Sequence, residues 1–345
     1  MKLFPSLVGQ AWQQALMLSL LLASPLTSQP AHADDYMYED EIEYALAERS
    51  KKERLDLEST HLSANSGSDD PTPSGRKTTF ADPRFSGVFK LDFKSQYISF
   101  GIVLQDEGVT IQPMLALRYT FFDKALDNSE DSFVNNVTGF ISSWNDISTN
   151  KDLSSPTSPY RYYTEADLVT GVSVTFKDRF NLTTSLTELH SPAGAFGPGA
   201  FLKAVLSMDD TGILAKDFAL KPQFLLIYEI PWEAQIGLQP DAFLFEPGIT
   251  PTYTFGSDTN FPVTLAVPMR VGLGNKFYDG NDYGFFSVGP EFTVPISGLS
   301  SQTIKTYASI GYTYINLGPT TTDFILNGDG SSNKHVYNFG LTTTF

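Results

Sequence analysis

Few side chains in this sequence are of a kind and spacing that could do chemistry. There are four histidines. His32, His61 and His335 stand in unrelated surroundings, while His190 has Glu188 and Ser191 beside it and Ser185 shortly before. A serine nucleophile needs a base within hydrogen-bond reach and a third group to orient that base. Ser185 and His190 would supply the first two for ester hydrolysis, but no recognisable motif surrounds either, and an exposed loop histidine is the plainer reading. Carboxylates at Asp209-Asp210 and from Asp279 to Asp282 offer oxygen ligands for calcium. Their spacing matches no known binding loop, so they read as solvated turns. Gly272-Leu273-Gly274 lacks the helix that a phosphate cradle requires. The chain has no cysteine, which excludes disulfides, thiolate metal sites and lipid attachment at cysteine. The expectation is therefore no catalytic residue, no metal and no cofactor.

A different chemistry is written in charges that alternate with apolar residues. Lys90, Asp92, Lys94, Arg118, Lys203, Lys221, Glu229, Glu246, Arg270, Glu291 and Lys305 each stand opposite aromatic or aliphatic neighbours. Successive side chains of a strand point to opposite faces, so these charges share the face that the aromatics avoid. Lining a pore, such groups select ions. Bases outnumber acids in this set, which predicts a mild preference for anions, strongest at Arg118 and Arg270. The alternative is that the charges pair across a narrow interior and block it, because an unpaired buried charge is costly.

The elements that carry these residues have a period of two from Phe85 onward. Strands are expected at 87–99, 109–121, around 133–144, around 168–176, after the tight Lys177-Asp178-Arg179 link, and at 200–208, 218–230, 243–255, 263–273, 286–296, 304–314 and the end of the chain. That makes about twelve. One face is rich in Phe and Tyr near strand ends, among them Tyr97, Tyr119, Tyr228, Tyr253, Phe255, Tyr314, Tyr337 and Phe345. The other carries Thr, Ser, Gly and scattered charge. Aromatic girdles and a wet interior are the signature of a membrane barrel, although a two-sheet sandwich also alternates. Long connections are expected around Asp106, Ser154, Gly197, Ala234, Asp279 and Gly328 on the outer side. Short ones fall at 177–179, 256–260 and 297–301 on the inner side, and the link at 125–131 is too long for this rule.

The two ends sharpen the reading. Residues 1–33 read as a secretory signal peptide. Lys2 is its only charge, Ala15 to Leu26 is apolar, and Ala31-His32-Ala33 fits a cleavage site. The segment from 34 to 84 opens with acids and closes in Ser, Asn, Gly and Pro, and reads as a partly helical or disordered periplasmic linker. The net charge of −16 comes from the part after the signal, since every acid lies there, and it argues against a nucleic-acid partner. In the last strand Tyr337, Phe339, Leu341, Thr343 and Phe345 share one face. This run resembles the terminal strand by which outer-membrane barrels are recognised by the barrel-insertion machinery, with Phe345, Leu341, Phe339 and Tyr337 as the assembly signal.

The stretch Ser95-Gln96-Tyr97-Ile98-Ser99-Phe100-Gly101, followed by Gln112-Pro113, resembles the opening hairpin of TorF-family porins and related uncharacterised bacterial outer-membrane β-barrel proteins. Tyr97, Gly101, Gln112 and Pro113 match that layout, while Phe100 stands where the family usually has Arg. The resemblance covers about 85–345 and implies a barrel of porin type without naming a substrate. The expectation is an all-β chain, a closed antiparallel transmembrane β-barrel over 85–345. It would sit in the outer membrane among its lipid and pass small hydrophilic solutes passively. A plugged structural or adhesion barrel is the alternative, and a membrane-embedded lipid hydrolase a third reading.

Overall fold

The computed structural model describes residues 84–345 except 128, 130, 131, 150–158, 231–240, 260, 302 and 320–329. The signal peptide and the acidic segment expected before Arg84 lie outside the described residues. So do the loop centres expected at Ser154, Ala234 and Gly328.

Residues with alternating faces become strands throughout. In chain order they are β1 (Phe85–Lys94), β2 (Tyr97–Ser99), β3 (Ile102–Gln105), β4 (Thr110–Asp123), β5 (Val134–Ser148) and β6 (Tyr163–Phe176). There follow β7 (Phe180–His190), β8 (Gly199–Met208), β9 (Phe218–Ala219), β10 (Pro222–Ile230), β11 (Phe243–Ile249) and β12 (Thr252–Phe255). The last six are β13 (Val263–Ala266), β14 (Met269–Leu273), β15 (Tyr283–Val288), β16 (Glu291–Pro295), β17 (Lys305–Leu317) and β18 (Asn333–Thr344). Strands β9 and β10 lie end to end as one stave, as do β11 and β12, β13 and β14, and β15 and β16. With β2 and β3 set apart as a separate hairpin, the remaining strands make a closed antiparallel barrel of 12 staves. Closure comes from β1, which pairs with β4 on one side and β18 on the other. A closed ring has no open edge, the condition for a sheet to stand in lipid.

The seam is finished by Phe345. Its backbone exchanges two hydrogen bonds with Gly87, at 2.8 and 3.0 Å. Its ring lies 2.5 Å from where a Cβ on residue 87 would stand, so any larger residue there would have to displace the ring. This end of the barrel also holds Arg84 and is called the inner end here.

Faces follow the alternation. Phe89, Leu115, Leu202, Leu226, Phe245, Ile310 and Phe339 are exposed on the outside. Aromatic residues collect toward its two ends. Phe133, Phe176 and Phe180 stack at 5.6 and 5.7 Å near the inner rim, with the Lys177 ammonium above Phe133. Tyr312, Tyr314 and Tyr337 gather around His335 near the outer rim. The tight link after β6 is a turn in which Lys177 and Asp178 both take positive φ. Two inner links are longer than a barrel rule of short inner turns allows. In the first, Asp123 accepts from the amides of Ala125 and Leu126, and Asp127 is bridged to Arg84 at 2.5 Å. In the second, the Asp210 carboxylate accepts from the amides of Leu220 and Lys221. Carboxylates that satisfy loop amides fix the described residues of these links at 123–127 and 210–221 as turns.

The four split staves break side by side. Pro222 opens β10, and Pro251, Pro268 and Pro290 stand in the next three breaks. One amide donates at each step: Thr250 N, shared between Leu220 O (2.8 Å) and Lys221 O (3.3 Å), Val267 N to Pro251 O (2.8 Å), Gly289 N to Pro268 O (3.3 Å) and Tyr312 N to Pro290 O (3.0 Å). A ladder pair normally exchanges two bonds. Proline has no N–H to return the second, so the carbonyls of Val267, Gly289 and Tyr312 each face a proline nitrogen. The result is a crease across one side of the wall.

Candidate functional site

The interior of the barrel is divided into two halves of different chemistry. Toward the inner end the lining is small. Thr254, Thr264 and Thr293 stand side by side on neighbouring staves, the first two with hydroxyls 3.2 Å apart. Ser173, Thr183, Ser185, Ser309 and Gly340 continue the lining around the ring. Thr254, Thr264, Thr293 and Thr342 are only half-buried, as inward side chains are where the lumen holds water.

Toward the outer end the lumen is filled, and what fills it is the connection between β1 and β4. The strand expected to run through Ser99 stops at Lys94. The chain then turns inward as the β2–β3 hairpin, with Phe100 and Gly101 at its tip in positive φ. Tyr97, Phe100, Ile102, Val103 and Leu104 are all buried. They form one apolar cluster with inward-facing Trp144, Phe201, Ile227, Leu244, Phe285, Ile315 and Val336 of the wall. Burying each such side chain stabilises by about 1.5–3 kcal/mol, so the five hairpin residues together hold it in place by something of order 10 kcal/mol. Tyr97, expected in the lipid-facing girdle, is instead inside the barrel. Its ring lies 5.6 Å from Trp144 and its hydroxyl donates to Glu165 at 2.9 Å. Period two gave the right strand and the wrong destination, because a hairpin buried on all sides also alternates.

Polar ties hold the same hairpin. Lys334 bridges to Asp106 at 2.8 Å with both side chains almost wholly buried, and Gln96 donates to Asp106 at 2.6 Å. At the tip, Tyr278 Oη donates to the Phe100 carbonyl at 3.0 Å, and Phe277 meets Phe100 edge-on. Phe277 and Tyr278 belong to the connection between β14 and β15 and are fully buried, while Asn275, Lys276, Asp279 and Gly280 beside them are exposed. Behind the hairpin, Asp146 accepts from Thr110, Thr164 and Gln112, tying β4, β5 and β6 together.

The charges singled out by alternation fall in several places. Lys90, Lys94, Lys203, Glu229, Glu246 and Arg270 are buried on inward-facing positions. Lys90 bridges to Asp92 at 3.3 Å and Arg270 to Glu246 at 3.2 Å. Glu291 accepts from Asn338 at 3.0 Å. Arg118 lies over the inward ring of Phe140 near the inner mouth, 5.7 Å from its centre. Two residues depart from the expectation. Lys221 sits in a stave break with positive φ. Lys305 stands at the inner rim, where its amine donates to the Ser301 carbonyl at 2.9 Å, so it lines no lumen. Acids that alternation did not single out also face inward: Asp146, Glu165 and Asp167. Among the described residues the buried acids of the barrel wall (Asp92, Asp146, Glu165, Asp167, Glu229, Glu246) outnumber its buried bases (Lys90, Lys94, Lys203, Arg270, Lys334). The excess of bases on which the anion preference rested is absent. Those acids sit on stretches where apolar residues point both ways, which hid their face.

The hydrolase pair does not assemble. Ser185 is buried on the inward face of β7, while His190 is exposed on the opposite face of the same strand. Among the described residues no three acidic or histidine side chains converge as a metal site would require. Asp209 and Asp282 are used within their turns, by the Thr211 amide and by Asn275.

No protein-family model and no curated protein matches this sequence. Solved structures with a similar course are outer-membrane proteins. An outer-membrane channel from Pseudomonas putida F1 is 10% identical, with TM-score 0.45, over 81% of this chain and 100% of that one. The NanC porin is 13% identical, with TM-score 0.37, over 74% and 98%. The beta domain of the Bordetella autotransporter BrkA is 13% identical, with TM-score 0.38, over 75% and 98%.

Proposed function

We propose that this chain is a passive channel for small hydrophilic solutes that rests closed at its outer end. Its place is the bacterial outer membrane, the setting of closed antiparallel barrels with an even number of strands and an apolar exterior. The supporting observation is the division of the lumen. The inner half is lined largely by hydroxyls and small side chains, with Arg118 and Phe140 at its mouth, and the outer half is filled by the β2–β3 hairpin together with Phe277 and Tyr278 of the β14–β15 connection. Nothing in such a mechanism calls for a catalytic group or a cofactor. The wall excludes lipid, the threonine lining hydrogen-bonds a hydrated solute, and paired charges such as Arg270–Glu246 set local fields without a net bias.

A second reading is a structural barrel whose plug never leaves, and the apolar seat of the hairpin favours it. Planar-bilayer recording separates the two. The protein lacking residues 1–33 is expected to give rare discrete conductance steps. A variant in which a Gly/Ser linker replaces 96–106 is expected to stay open. Silence of that variant, in a barrel shown to be folded, refutes the channel.

A further inference from the structure

The crease and the plug meet in one element. Strands β14 and β15 rise from the breaks at Pro268 and Gly289-Pro290, and the connection between them carries Phe277 and Tyr278 into the lumen. These two residues hold the plug tip: Tyr278 Oη on the Phe100 carbonyl at 3.0 Å, and the Phe277 ring 6.0 Å from that of Phe100. Phe285 of β15 closes the contact, because its side chain lies 2.9 Å from where a Cβ on Gly101 would be.

We infer that the β14–β15 arm is a clamp hinged at the proline crease, and that its outward swing is the step that frees the β2–β3 plug. This deepens the channel reading and rests on it for its purpose, though not for its test. Three features make this arm the moving part. Its lower boundary is where the wall has lost ladder bonds, since the carbonyls of Gly289 and Tyr312 face Pro268 and Pro290, which have no N–H to give. Bending there breaks less than bending elsewhere in an unbroken ladder. On the opposite side β4, β5 and β6 run as single strands of 14, 15 and 14 residues, with no row of aligned breaks across neighbouring staves. The arm's contacts with the tip, the Tyr278 hydrogen bond and the Phe277 and Phe285 side chains, are local, whereas the base of the hairpin is fixed by the Lys334–Asp106 bridge. Release at the tip therefore precedes any release at the base, and the hairpin pivots about Asp106 instead of leaving as a unit.

The chain lacks cysteine, so Val103→Cys gives a single thiol in the buried plug. Its labelling by a charged, water-soluble maleimide, with full-length protein in lipid vesicles, reads opening without requiring conduction. Tyr278→Phe removes only the hydroxyl that holds the tip. Loss of one buried hydrogen bond is expected to speed labelling by about tenfold. Pro268→Ala with Pro290→Ala returns two ladder donors and is expected to slow labelling by a similar factor. Labelling that is equally fast in all three backgrounds overturns the hinge. So does labelling absent from every background while the unfolded protein reacts, since the plug is then a fixed core. If labelling shifts as expected and conductance does not follow it, the hinge stands and the channel reading falls.

Discussion

Placing one arginine at three positions measures the barrel against its surroundings. Leu115 and Leu265 face outward and Thr264 faces the lumen, between Thr254 and Thr293. A strand rises about 3.3 Å per residue, and a tilt of about 40° reduces this to about 2.5 Å along the membrane normal. Leu115 lies between one and two residues from the midpoint of β4, Thr110–Asp123, or about 4 Å from the midplane on that scale. Leu265 lies three residues from Pro268, the centre of its stave between Val263 and Leu273, or about 7 Å from the midplane. With an apolar band about 25 Å tall and a cost of about 2–4 kcal/mol for Arg at its centre, falling to about 0–1 near the interface, Leu115→Arg is expected to cost about 2–3 kcal/mol. Leu265→Arg is expected to cost about 1–2 kcal/mol and Thr264→Arg under about 0.5 kcal/mol on the same scale. Reversible unfolding in denaturant from lipid vesicles, followed by the fluorescence of buried Trp144, gives the three values. Equal costs for Thr264→Arg and Leu265→Arg would show that the two do not face different solvents. A Leu115→Arg no worse than Leu265→Arg would show that depth is not what sets the penalty.

Phe345→Ala is expected to lower outer-membrane levels more than Phe339→Ala, because Phe345 closes the seam with its ring on Gly87; immunoblots of outer-membrane fractions compare the two. Lys334→Met leaves Asp106 buried without its cation and is expected to destabilise by about 3–5 kcal/mol. Adding Asp106→Leu is expected to recover much of that loss in the same unfolding assay. The Arg84 guanidinium holds the Asp127 carboxyl below its ordinary value of 3.8. A carboxylate with a lowered pKa adds its stabilisation above the ordinary value and loses it as pH falls through the lowered one. The Arg84–Asp127 tether is therefore expected to persist from neutral pH to below 3.8 and then to release. Amide exchange at Asp127 across that range checks it, and Asp127→Asn should show the released pattern at neutral pH.

What the sequence could disclose was set by how many surfaces each element buries. The staves have one face in lipid and one in the lumen, so Phe243 to Phe255 and Tyr337 to Phe345 show their faces without ambiguity, and the count of twelve follows from them. β5 and β6 were harder to read. Trp144 and Phe140 point inward with apolar neighbours opposite, and β6 begins at Tyr163, well before the apolar run from Leu168. The plug escaped because nothing local separates a strand continuing through Tyr97 from one that turns into the lumen. The only signals were Gly101 and the density of apolar residues from Ile98 to Leu104. The lumen pairs were also hidden, since Lys334–Asp106 joins residues 228 apart in the chain.

The plug follows the first stave, yet the wall it packs against extends to Val336 in the last. Until β18 has joined β1 there is no enclosed interior for Tyr97, Phe100 and Val103 to enter. A growing sheet of eleven staves would carry the hairpin as an exposed apolar flap, with Phe201, Ile227 and Leu244 uncovered on its concave side. Closure of the ring and formation of the apolar core are thus one event, made of contacts very distant in sequence. Such an event is slow and leaves few stable intermediates. The flap gives the unfinished barrel a sticky surface that the finished one conceals, on a hairpin that is made early in the chain and sheltered last.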